Sequence, residues 1–322
     1  MPLGSPVTEL ALLLAGVALL YAGAELLVAG ARDLALAVGL KAATVGVTVV
    51  AFATTAPELF VAVLGGLTVS TDIGLGAILG SNVANIGLVL GAAALIRPLD
   101  VSEAALRRDV PFMLLAAALL VGFGWNGQIG SVEGGVLLAT LVGFTLVVLR
   151  RVRRTQSTIT ASERDGMPDA TVREVAAVVG GLVALVAGSN WLIAGGRSLL
   201  AAAGFSDLFV GLTVLAVGTS LPELASSVAA ARRGEDEIAF GNVIGSNLFN
   251  TLVVVGFAGA IRPFSVDLLA ATRDYPAMLF FTVMLFVVGF ARRGKIGRVT
   301  RVEGVVLCLL YVAYILLLVR SG

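Results

Sequence analysis

Apolar runs of membrane-spanning length follow one another almost end to end along this chain, separated by short polar stretches. No charged side chain occurs between Asp72 and Arg97, Asp109 and Glu133, Glu133 and Arg150, or Glu174 and Arg197. The same holds between Glu237 and Arg262, Asp274 and Arg292, and Glu303 and Arg320. Three further runs hold one carboxylate each: Glu25 within 9–32, Glu58 within 41–72 and Glu223 within 207–232. A membrane helix needs roughly 17–25 residues, so the pattern predicts an all-α polytopic membrane protein with ten transmembrane helices. Composition agrees, since 58% of the 322 residues are hydrophobic and 13% charged, against roughly a quarter charged in soluble domains.

The pattern also repeats. Shifted by 165 residues, VGVTVV at 45–50 lies over VGLTVL at 210–215, and TTAPEL at 54–59 over TSLPEL at 219–224. GAILGSNVAN at 76–85 meets GNVIGSNLFN at 241–250, IRP at 96–98 meets IRP at 261–263, and Asp109 falls on Asp274. A fixed offset through several spans marks a duplication. Residues 1–149 and 174–322 are the expected halves, joined by a polar linker at 150–173. Five helices per half is an odd number, so the second half enters the membrane inverted. Inverted repeats are a transporter architecture, with the substrate site near the midplane where the repeats meet.

Charge sets the expected orientation. Eighteen of the 22 Lys and Arg fall in 31–43, 97–109, 150–173, 231–237 and 291–301, loops that share one side. The positive-inside rule makes that side cytoplasmic, with both termini outside. No cleavable targeting segment is expected, as the N-terminus lacks a positive region. The single cysteine, Cys308, excludes an internal disulfide, and the absence of histidine excludes imidazole metal sites and relays.

The candidate chemistry lies where carboxylates stand in apolar runs, a placement unfavourable by ~2.5–3.5 kcal/mol at a helix centre. Glu58 and Glu223 occupy equivalent repeat positions, each after a proline. Glu25 has Asn190 as its counterpart and is expected near a helix end, facing Arg32. Pro57 and Pro222 break the helix, offering no N–H to the carbonyls of Ala53 and Gly218. Thr54 and Thr219 share a helix face with the glutamates. On the next helix of each half, Ser81 with Asn85, and Ser246 with Asn250, are four apart and co-facial. Gly80 and Gly245 are expected to allow close helix approach. Carboxylates, amides, hydroxyls and bent carbonyls, with no sulfur or imidazole, suit Ca²⁺ and also Na⁺.

At these residues the chain resembles the cation/Ca²⁺ antiporter superfamily, and within it the compact prokaryotic Na⁺/Ca²⁺ exchangers. The matching motifs are AFATTAPEL with GAILGSNVAN and AVGTSLPEL with GNVIGSNLFN. The resemblance implies a central cation site from Glu58, Glu223, Asn85 and Asn250 with the carbonyls of Thr54 and Thr219. It implies flanking sodium sites from Thr55, Ser81, Ser220 and Ser246 with the carbonyls of Ala51 and Ala216. It further implies that the first helix of each half, 10–31 and 175–200, slides over the other eight. Ca²⁺ and Na⁺ are then transported ions; no cofactor and no nucleic acid are expected. The expected setting is a monomer in the lipid bilayer of a prokaryotic plasma membrane, extruding Ca²⁺.

One departure stands out, because exchangers of this type commonly carry aspartate where this chain has Asn250. Two carboxylates balance one Ca²⁺ or two monovalent ions, and a third Na⁺ would be uncompensated in a low-dielectric site. Coupling below three Na⁺ per Ca²⁺ is therefore expected. An H⁺/Ca²⁺ antiporter on the same fold is the alternative, disfavoured by the Thr and Ser beside the prolines. More remote are a cation channel and an intramembrane enzyme, the latter lacking histidine and any serine–lysine pair in the apolar spans.

Overall fold

A computed structural model of the chain describes residues 6–37, 42–55, 71–157, 172–202, 220–266, 270–290 and 297–321. The first half runs α1 (Pro6–Ala37) and α2 (Ala42–Val45), which continues through a π-helical turn, Gly46–Val50, to residue 55. Next come α3 (Thr71–Ala84), a π-helical turn Asn85–Leu90, α4 (Gly91–Ile96) and β1 (Leu99–Val101). A further π-helical turn, Ala105–Asp109, opens α5 (Val110–Gly124), followed by β2 (Gln128–Ile129) and α6 (Ser131–Ser157).

The second half begins with α7 (Val172–Ala202), then α8 (Leu221–Arg233) and α9 (Asp236–Phe249). The π-helical turn Asn250–Val255, α10 (Gly256–Ile261), β3 (Phe264–Ser265) and the π-helical turn Ala270–Asp274 follow. The chain ends with α11 (Tyr275–Phe290), β4 (Gly297–Val299) and α12 (Arg301–Ser321). Asn250–Val255 is Asn85–Leu90 displaced by the repeat offset, and Ala270–Asp274 is Ala105–Asp109 so displaced. Backbone irregularity is thus duplicated along with sequence.

Among the described residues, seven helices are long and apolar enough to cross a membrane. Of the other three expected spans, 41–72 and 207–232 extend beyond the described residues, and α5 is the third, with 15 residues. The outer faces of the long helices carry exposed valine and leucine, such as Val179 on α7 and Leu309 and Leu316 on α12, a surface suited to lipid. Local signals fix several ends. Thr300 and Glu303 cap α12 reciprocally, with Glu303 N donating to Thr300 Oγ1 at 3.4 Å and Thr300 N to Glu303 Oε2 at 2.6 Å. The α8 helix stops at Gly234, whose φ of 77° closes a left-handed cap.

The halves interlock with twofold correspondence. The α12 helix packs on α4, and its repeat equivalent α6 packs on α10. Strands β1 and β4 pair antiparallel, with Asp100 opposite Arg298, at one end of the bundle. Strands β2 and β3 pair likewise at the other. Asp109 and Asp274, also repeat mates, are buried at the starts of their helices, each ion-paired to the preceding arginine, Arg108 or Arg273.

Standing apart is the pair α1 and α7, which pack along each other for most of their length and meet the rest chiefly through α8 and the start of α2. Glycines spaced by seven make this seam: Gly16 and Gly23 in α1 against Gly188 and Gly181 in α7. A Cβ at Gly16 would stand 2.8 Å from Gly188 O, and one at Gly23 would stand 2.8 Å from Gly181 O.

Glu25 departs from expectation. Its carboxylate accepts from Arg233 Nε of α8 at 2.8 Å, while Arg32 pairs with Glu235 at 2.9 Å. Because α8 lies against α1, each charge finds a partner across the helix pair closer than one two turns away on its own helix. Gly245 does give close approach, since a Cβ there would meet Val47 O at 2.5 Å. The equivalent neighbourhood of Gly80, at 212–216, lies outside the described residues.

Candidate cation site

Four elements bring the candidate ligands together: the end of α2, the hinge of α3, the start of α8 and the hinge of α9. Ala51, Thr54 and Thr55 on the first are at most 3% exposed. Ser81 and Asn85, at 2% and 0%, sit one turn apart, and Asn85 begins the π-helical turn after α3. Ser246 and Asn250 repeat this on α9, at 0% and 1%. A π-helical turn carries one extra residue and unsettles the carbonyl ladder beside it, a common device at binding sites.

Ser220 and Glu223, each 1% exposed, open α8. Pro222 stands in the first turn of this helix, where a missing N–H is harmless. Helix bonding begins there with Leu224 N donating to Ser220 O at 2.9 Å. The proline therefore marks a helix start, and Glu223 lies in the first turn, where the helix dipole favours a negative charge. The carboxylate faces the Thr54 and Thr55 hydroxyls of the other half. Pro57, Glu58, Ala216 and Thr219, with the Gly218 carbonyl, lie outside the described residues.

Hydroxyls bridge the halves on both sides. Thr54 Oγ1 lies 3.4 Å from Ser246 Oγ, and Ser81 Oγ lies 3.3 Å from Ser220 Oγ. The Asn250 amide donates to Ser81 Oγ at 3.1 Å. What these groups leave over matters more. Thr55 Oγ1, both amide atoms of Asn85, Glu223 Oε2 and Asn250 Oδ1 are buried with no hydrogen-bond partner. They are five of the ten such side-chain atoms among the described residues. Each carries a desolvation penalty of about 1–3 kcal/mol; the Asn85 nitrogen can only donate, but the four oxygens, one on each of four candidate ligands, fit a cage that a cation completes.

Sequence reasoning missed a supporting layer. Asn242 of α9 donates to Ser226 Oγ at 3.0 Å and Ser227 Oγ at 2.9 Å, and its Oδ1 accepts from Thr54 at 3.2 Å. It ties α8, α9 and α2 together behind Glu223. Its repeat counterpart is Ala77, so a search for matched polar positions passes over it. The available signal was an asparagine in an apolar run, one turn before Ser246 on the same face. Asn82 of α3 belongs to this layer too: it accepts from Asn250 Nδ2 at 3.2 Å and donates to Thr251 Oγ1 at 3.1 Å.

Comparison with known proteins bears on the family and the fold. The model of the sodium/calcium exchanger protein family matches residues 8–150 and 174–320. The putative antiporter CaxA of Alkalimonas amylolytica is 35% identical over 281 residues, 86% of this chain and 88% of that protein. The inner membrane protein YrbG of Escherichia coli K12 is 34% identical over 266 residues, covering 81% and 82%. The sodium/calcium exchanger MaX1 of Methanosarcina acetivorans is 28% identical over 319 residues, covering 87% and 90%. A solved structure of the sodium-calcium exchanger NCX_Mj superposes with a TM-score of 0.80 at 26% identity, over 95% of this chain and 97% of that one. The chain belongs to the sodium/calcium exchanger family of membrane transporters and is not an enzyme.

Proposed function

We propose that the protein exchanges Ca²⁺ for Na⁺ across the membrane by alternating access and extrudes Ca²⁺ from the cell. The observation that carries this reading is the set of unpartnered buried atoms on Thr55, Asn85, Glu223 and Asn250, drawn from both halves around a carboxylate. Hard oxygens in an irregular cage fit Ca²⁺, which takes roughly 6–8 of them. Glu58 and the Thr219 carbonyl complete the central site with Glu223, Asn85, Asn250 and the Thr54 carbonyl. Thr55, Ser81, Ser220 and Ser246, with the carbonyls of Ala51 and Ala216, hold the flanking sodium ions. The end carrying β1 and β4 faces the cytoplasm, both termini face outward, and a monomer suffices. The tightly seamed α1–α7 pair slides as one body to expose the site to alternate sides.

Uptake of ⁴⁵Ca²⁺ into proteoliposomes tests this. Sodium-loaded vesicles should accumulate Ca²⁺ and potassium-loaded vesicles should not. Uptake driven by a pH gradient in sodium-free medium would replace sodium by protons as the coupling ion. With two carboxylates in the cage, exchange of two Na⁺ for one Ca²⁺ moves no net charge. One net charge across 100 mV is worth about 2.3 kcal/mol, enough to alter a rate severalfold. Net flux should therefore be nearly indifferent to imposed potential, and steep voltage dependence would rule out electroneutral coupling.

A further inference from the structure

Asn250 reaches the cage as an amide, and an amide, unlike a carboxylate, has a wrong way round. The structure shows what turns it. Met278 of α11 presents its thioether to Asn82, with Nδ2 to Sδ at 3.5 Å. A thioether can only accept, so the Asn82 group facing it is the nitrogen. That same nitrogen donates to Thr251 Oγ1 at 3.1 Å. The Asn82 oxygen is thereby turned to Asn250 and demands a donor, which it receives from Asn250 Nδ2 at 3.2 Å. Asn250 Nδ2 spends its second hydrogen on Ser81 Oγ at 3.1 Å, and its oxygen is left buried and unpartnered. All five side chains are at most 3% exposed.

The other half lacks this device. Asn247, the counterpart of Asn82, and Asn85, the counterpart of Asn250, have no partner for either amide atom. Ile86 stands where the repeat would place Thr251, so the hydroxyl that anchors Asn82 has no equivalent. The two amides of the cage are therefore unlike: Asn250 is locked and Asn85 is not.

We infer that Asn82, held by Met278 and Thr251, is a positioning residue that keeps the Asn250 carboxamide oxygen toward the transported cation. This rests on Asn250 being a cation ligand, as proposed above. The test is a double-mutant cycle in ⁴⁵Ca²⁺ uptake by sodium-loaded proteoliposomes. Asn82→Leu should raise half-saturating Ca²⁺ about tenfold, the loss of roughly one hydrogen bond's worth of orientation, with the maximal rate within about twofold. In an Asn250→Asp background, where either oxygen can ligate, Asn82→Leu should leave half-saturation within about twofold or lower it. Met278→Leu, which removes only the acceptor at nearly constant volume, should show the same pattern at about threefold and serves if Asn82→Leu fails to fold. Equal effects in both backgrounds, in a wild-type protein that transports, would overturn the positioning role alone. A wild-type protein without sodium-driven uptake would overturn the exchange reading and this inference with it.

Discussion

Glu223→Gln should abolish sodium-driven Ca²⁺ uptake while leaving the protein folded and more stable in cation-free buffer. The carboxylate is 1% exposed and one of its oxygens has no partner. Removing its charge relieves a desolvation penalty, so the apo protein gains. The bound state loses far more. At 4 Å and an effective dielectric near 20, a unit charge interacts with a neighbour by ~4 kcal/mol, and a divalent ion feels this twice. At about tenfold per 1.4 kcal/mol, apparent Ca²⁺ affinity should fall by at least about three orders of magnitude. Thermal unfolding in detergent separates the two effects. A ligand at a hundred times its Kd stabilises by about 2.7 kcal/mol, so wild type should melt higher with Ca²⁺. The variant should melt above the wild type without Ca²⁺ and show no response to it. A Ca²⁺-dependent shift that survives the substitution would place the ion elsewhere. Glu58→Gln should match it in transport, because the repeat makes the two carboxylates equivalent.

The residues that made this reading possible were visible because they come twice. An offset of 165 places Glu58 on Glu223, Ser81 on Ser246 and Asn85 on Asn250, and duplicated polar groups in apolar runs are expensive enough to need a purpose. What comes once was not visible. Asn242 supports the cage from a position where the other half has alanine. The Met278–Asn82 relay depends on Thr251, whose mate is isoleucine. Side-chain direction across an interface is a tertiary fact, and no spacing rule supplies it. The π-helical turns at Asn85 and Asn250 were equally hidden, since their sequences carry no proline or distinctive composition. Glu25 shows the reverse error: a partner sought along its own helix was found on α8, because helix packing brings Arg233 nearer than a two-turn separation does.

The seam between α1 and α7 is where the largest effect remote from the ligands is expected. Gly188→Val should cut the maximal exchange rate tenfold or more. A Cβ at this position would lie 2.8 Å from Gly16 O and 2.8 Å from Leu20 N. Both obstacles are backbone atoms, so no side chain can swing aside and the helices must part. Overpacking of this kind costs about 1–3 kcal/mol, and here it also displaces α1 from α8, the helix that carries Glu223. No candidate ligand stands on α1 or α7. The substitution should therefore leave half-saturating Ca²⁺ within about twofold, separating transit from binding. Gly180→Val is the control, eight residues earlier on the same helix but exposed, with open space where its Cβ would stand. Its exchange should stay within about twofold of wild type. Equal losses in the two variants would mean that any bulk on α7 impairs the protein. A shift in half-saturation at unchanged maximal rate would mean that α7 shapes the cage itself. The expected pattern, a slowed cycle around an intact site, is what a rigid moving pair predicts, because such a pair works only while its two helices stay in contact.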